Sequence, residues 1–116
     1  PQIKSRIREK QRQLSLRRMM AEIPKADVII TNPTHYAVAL KYDANTSDAP
    51  VVIAKGKDLI AFRIKDKARE SNIPIVENKA IAQALYNTTD IGQQIPEEMY
   101  QAVAEILAFV YSLKNK

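Results

Sequence analysis

Asn32-Pro33-Thr34-His35 is the one stretch of this 116-residue chain whose residue types and spacing suggest covalent chemistry. An Asn side chain ordinarily ages when the next backbone nitrogen attacks its side-chain carbonyl. Pro33 has no backbone N–H, so that route is closed here. The reaction left runs in the opposite sense. The Asn32 amide nitrogen attacks its own main-chain carbonyl, a succinimide forms, and Pro33 leaves as an amine, which cuts the backbone after residue 32. An amide nitrogen is a weak nucleophile, so the turn must hold it near attack distance and supply a high effective concentration. Strain in the turn would add to this. His35, the single imidazole of the chain, is expected to accept or relay a proton near neutral pH. Thr34 is expected to orient the reacting group through its hydroxyl or backbone N–H. The plain alternative is a turn and nothing more. Asn first and Pro second suit a type I or II turn, and on local sequence alone this reading is the stronger.

The elements around the turn follow from apolar spacing and breakers. Residues 2–22 carry good helix formers and no Gly or Pro, so they predict a helix ending before Pro24. Its apolar stripe is too sparse in the first half to bury against a core, which marks it as a linker helix. Val28-Ile29-Ile30 predicts a short buried strand, and His35 to Tyr42 a second one. After a polar loop, Asp43 to Pro50, a third strand runs over Val51-Val52-Ile53 and is expected to stop at Lys55-Gly56-Lys57. Asp58 is a candidate N-cap for a helix over 59–70 with Ile60, Ile64 and Ala68 on one face. Asn72-Ile73-Pro74 breaks that helix, and Ile75-Val76 predicts a fourth strand. Asn78 can cap a helix ending near Asn87. Past Gly92, Pro96 with Glu97 and Glu98 opens a last helix whose stripe is Met99, Val103, Ile106, Leu107, Val110 and Leu113. The expectation is a small α/β domain over 25–116, with a four-stranded sheet and helices packed around it, preceded by a basic linker helix over 1–24.

Composition narrows the function classes. There is no Cys and one His, so neither a disulfide framework nor a structural zinc site is expected, and a reducing compartment fits. No apolar run reaches the roughly 18–20 residues that cross a bilayer, and no signal-peptide pattern is expected from the first residues. The chain reads as a soluble fragment of something longer. Its net charge of +5 lies entirely in residues 1–24, where seven bases face Glu9 and Glu22; the remainder balances eleven against eleven.

Asn32-Pro33-Thr34-His35 followed by Tyr36-Ala37-Val38-Ala39-Leu40-Lys41-Tyr42 resembles the autocleaving export-switch family of flagella and virulence injectisomes, the FlhB/YscU family. The resemblance continues through Ala54-Lys55-Gly56, Asn72-Ile73-Pro74-Ile75-Val76-Glu77, Ala84-Leu85-Tyr86 and Ile91-Gly92-Gln93-Gln94-Ile95-Pro96, and it covers nearly all of residues 20–116. The last of these motifs looks flagellar. The resemblance implies an inner-membrane protein whose cytoplasmic domain cleaves itself between Asn32 and Pro33, keeps both pieces together and changes which substrates it admits. Implied partners are other export-apparatus proteins, exported rod, hook and filament-type subunits, and a secreted length-control protein. The basic helix would be the juxtamembrane link, near anionic lipid. No cofactor, metal, small-molecule substrate or nucleic acid is implied.

Release of residues 1–32 would expose the three large side chains of Val28-Ile29-Ile30, so the nicked domain is expected to stay whole. The rival reading is a nucleic-acid-binding module using the basic helix; no aromatic interleaving or binding motif accompanies the charge. A turnover enzyme ranks lower. Lys55-Gly56-Lys57 lacks the rest of a phosphate loop, and neither Ser47 nor Ser71 sits in a nucleophile elbow that could use His35. Asp66 and Glu70 beside Lys65, Lys67 and Arg69 read as a solvated, ion-paired face. Tyr86, Tyr100 and Tyr111 read as core or rim packing.

Overall fold

A computed structural model describes residues 2–114. Residue 1 and residues 115–116, the outer ends of the two expected segments, lie outside that range. The helix α1 runs over Gln2–Glu22 and passes through a 3₁₀ turn, Ile23–Lys25, into the sheet. The strands are β1 (Val28–Asn32), β2 (Tyr36–Lys41), β3 (Val51–Lys57) and β4 (Ile75–Glu77). The further helices are α2 (Asp58–Glu70), α3 (Lys79–Thr88) and α4 (Tyr100–Lys114), the last entered through a 3₁₀ turn at Glu97–Met99. The strand order is β3-β2-β1-β4; β2 is antiparallel to both neighbours, and β4 runs parallel to β1. This is the expected α/β domain with a four-stranded sheet.

Both faces of the sheet are covered, which explains why β2 alternates imperfectly. Val38 and Leu40 point to a core shared with Val28, Ile30, Leu85, Val103, Leu107 and Val110, under α3 and α4. Ala37 and Ala39 point the other way, toward Ile23, Ile29, Ala61, Ile64 and Ala68, under α2. Large residues on one face and alanines on the other let α2 approach closely. The helix α1 has no buried residue, but its C-terminal Met19 and Met20 pack on the α2 side.

Several boundaries differ from the sequence reading. β3 does not stop at Lys55-Gly56-Lys57: Gly56 pairs with Ala37 and Lys57 with Tyr36, and α2 follows with no loop. Gly56 is required by proximity, since a Cβ there would lie 2.9 Å from the Ile60 Cβ and 3.1 Å from the Ile64 Cδ1. Asp58 is not a side-chain N-cap. The cap position falls on Lys57, and Asp58 absorbs the sharp strand-to-helix change with φ 52°, a region that Asp tolerates better than most residues. Leu113 does not face the core; it is 50 % exposed on the last turn of α4. Asn78 does cap α3, its side chain accepting from the Ile81 N–H at 3.1 Å. Asn72, φ 59°, ends α2 as an αL residue before Pro74. The free edge of β3 is covered by residues 92–95, through Gly92 N–H to the Val52 carbonyl at 2.7 Å and Ile95 N–H to that of Pro50 at 2.9 Å.

Candidate functional site

The β1–β2 hairpin brings all four expected residues into one connection. Asn32 ends β1 and pairs with Tyr36, which starts β2, leaving only Pro33, Thr34 and His35 between them. The ring of Pro33 fixes φ at about −65° in the second turn position. The His35 backbone N–H closes the turn on the Asn32 carbonyl at 3.0 Å. That carbonyl is the one a cyclising Asn32 attacks. A fixed donor on it polarises the C=O bond and meets the negative charge that develops on its oxygen.

The side chains are arranged less tightly than the backbone. Asn32 and Pro33 are half-buried, whereas Thr34 and His35 are exposed. The His35 ring projects beside Tyr36 with its centroid 6.4 Å from the phenol ring. The contact that joins residues 32 and 35 is therefore made by the His35 backbone.

Three donors from α2 and the start of α3 hold the hairpin. The Asn78 N–H at the start of α3 donates to the Thr31 carbonyl at 2.9 Å. The Asp58 N–H at the start of α2 donates to the His35 carbonyl at 2.9 Å. From the third turn of α2, the Lys65 Nζ donates to the Pro33 carbonyl at 2.7 Å. Carbonyls on both sides of the Asn32–Pro33 bond are thus fixed by groups 23 or more residues further along the chain. Tyr36 also stacks on Tyr86 of α3 at 4.7 Å, and the Lys55 Nζ donates to the Tyr86 carbonyl at 2.9 Å.

Lys65 corrects the sequence reading. Arg69–Asp66 at 3.0 Å and Lys67–Glu70 at 3.9 Å are ion pairs near the surface, as expected of a solvated face. Lys65 instead is only 8 % exposed and lies over the Phe62 ring, 4.5 Å from its centroid. Ala61, Ile64, Lys65 and Ala68 are the buried residues of α2. They repeat at i, i+3, i+4 and i+7, so a lysine in an otherwise apolar stripe was the available signal.

No helix among the described residues is long and apolar enough to cross a membrane. A groove of about 460 Å³ lies between α1 and α2 against Leu16, Met20, Arg63 and Lys67, and no residue of the turn lines it.

The sequence is 54 % identical over 116 residues to the flagellar biosynthetic protein FlhB of Bacillus subtilis strain 168, covering all of this chain and 32 % of that protein. It is 55 % identical to FlhB of Escherichia coli K12, over 99 % of this chain and 30 % of the relative. The chain thus spans about a third of the length of the curated relatives it matches. Its fold matches the crystal structure of the cytoplasmic domain of FlhB from Shewanella putrefaciens with a TM-score of 0.83 and 56 % identity, over 85 % of this chain and 76 % of that one. The model of the FlhB HrpN YscU SpaS family matches residues 1–110, and the chain belongs to that family of flagellar and type III export proteins.

Proposed function

We propose that this chain is the substrate-specificity switch domain of a flagellar type III export apparatus, and that it cuts itself once between Asn32 and Pro33. The observation that carries the cleavage is the His35 N–H on the Asn32 carbonyl at 3.0 Å, within a Pro-containing turn fixed on both sides. In the first step the Asn32 Nδ2 forms a bond to the Asn32 main-chain carbon, and charge develops on the oxygen that the His35 N–H already contacts. In the second step the bond from that carbon to the Pro33 nitrogen breaks. One proton leaves Nδ2 and one reaches the Pro33 nitrogen. The products are a succinimide at residue 32 and a secondary amine at residue 33, with no water consumed. His35, exposed beside the turn, is the proton relay between solvent and these two nitrogens. The domain turns over once and is not a conventional enzyme.

The cut leaves β1 on the shorter piece, residues 1–32, between β2 and β4 of the longer one. Ile23, Val28, Ile29 and Ile30 are all fully buried, and each contributes about 1.5–3 kcal/mol of apolar burial. The nicked domain therefore stays assembled, and what changes is the hairpin surface. In this reading residues 1–24 form the basic link at the cytoplasmic face of the inner membrane, within reach of anionic lipid, and residues 25–116 are the switch domain. The switch faces other export-apparatus proteins, exported rod, hook and filament-type subunits and a length-control protein. Denaturing electrophoresis with intact mass measurement tests the proposal. Wild type should yield chains ending at Asn32 and starting at Pro33, and Asn32→Ala a single chain; breakage of Asn32→Ala at the same bond would identify a protease instead.

A further inference from the structure

Lys65 stands out as a cation placed where a cation is costly. It is 8 % exposed, it pairs with no carboxylate among the described residues, and its Nζ makes a 2.7 Å hydrogen bond to the Pro33 carbonyl. The face of Phe62 covers it from one side at 4.5 Å. Withdrawing an ammonium group from water is unfavourable unless something polar replaces the lost hydration. A backbone carbonyl and an aromatic face do so in part. For stability alone, an apolar residue in the stripe formed by Ala61, Ile64 and Ala68 would serve α2 better.

We propose that Lys65 is a positioning residue for self-cleavage, holding the leaving side of the bond that breaks. The inference rests on the cleavage reading above. Pro33 supplies the departing nitrogen, and its carbonyl is the Lys65 acceptor. When the Asn32 carbonyl carbon becomes tetrahedral, the Pro33 ring would otherwise swing with it. Lys65 pins the Pro33 peptide from α2, while the His35 N–H and the β1 ladder pin the acyl side. Attack then strains the bond between two fixed halves and leaves the whole turn less free to follow. The helix is itself fixed by the Gly56–Ile60 approach and by the Asp58 N–H on the His35 carbonyl, so Lys65 acts from a rigid support. The charge suits the task, since a hydrogen bond from an ionised donor is shorter and stiffer than one from a neutral donor.

The test compares cleavage rates of purified wild type, Lys65→Met and Lys65→Arg at neutral pH, by densitometry of denaturing gels. Each variant is also made in the uncleavable Asn32→Ala background, where thermal melting reports folding without interference from the cut. Lys65→Met should cleave about ten- to a hundredfold more slowly while its Asn32→Ala form melts cooperatively. Lys65→Arg, which keeps an ionised donor, should recover most of the rate. The inference is overturned if folded Lys65→Met cleaves at the wild-type rate, or if folded Lys65→Arg is as slow as Lys65→Met. Wild type that never cleaves refutes the cleavage reading instead, so the two failures are distinguishable.

Discussion

Truncating Ile30 to alanine should loosen the grip of the nicked domain on its own first strand. Ile30 is fully buried and sits opposite Val38 of β2 and Val76 of β4, in the core with Leu85, Val103 and Leu107. All of those partners lie on the piece starting at Pro33. Ile→Ala in a packed core costs about 2–5 kcal/mol, transfer and cavity together. At about 1.4 kcal/mol per decade, the dissociation constant of the two pieces rises about 30-fold to about 4,000-fold. The assay is size-exclusion chromatography of the fully nicked protein over a dilution series, with mass detection of the shorter piece in each peak. Ile3→Ala is the control: Ile3 lies on the same piece but is 73 % exposed on α1, so its loss should leave retention unchanged. If nicked Ile30→Ala holds residues 1–32 within threefold of wild type, burial of β1 is not what keeps the pieces together.

Three further outcomes follow from the geometry. Gly56→Ala should lower stability by about 1–3 kcal/mol, because its Cβ meets the Ile60 side chain and forces α2 outward, and thermal melting reads the loss. His35→Ala should slow the cut while leaving the melting temperature within a degree or two, since the ring is exposed but the turn-closing N–H remains. Tyr111 should titrate late: burial first, then the nearby Asp27 and Tyr42, raise its phenol above the ordinary value. Because the fold favours the neutral phenol, its share of stability is complete below the usual tyrosine range, about pH 10, and is lost as pH rises through the raised value. An ultraviolet titration in which Tyr111→Phe removes no late component would contradict this.

The parts of the fold legible in the sequence were those set by local pattern. Val28-Ile29-Ile30 has no polar residue to turn outward, and the strand proved to be central with both faces covered. Asn78 stood before an apolar run at cap spacing, and it caps α3. Asn32 followed by Pro33 announced a turn, and the turn formed. What could not be read was set by neighbours distant in sequence. Lys55-Gly56-Lys57 has the look of a strand end, yet Gly56 is there because α2 folds back onto it at van der Waals range. Asp58 has the look of a cap, but with no loop after β3 its backbone, and not its carboxylate, makes the bend. Lys65 sits among charged neighbours in the sequence, and only the arrival of Pro33 from 32 residues upstream gives its ammonium a partner.

Electrospray mass measurement of both pieces, taken early in the reaction at neutral pH, bears most directly on the chemistry claimed for this turn. Succinimide formation predicts two fragments whose masses add to that of the unbroken chain, because no water has entered. A sum heavier by one water molecule from the first time point, or a polypeptide that stays unbroken, would contradict it.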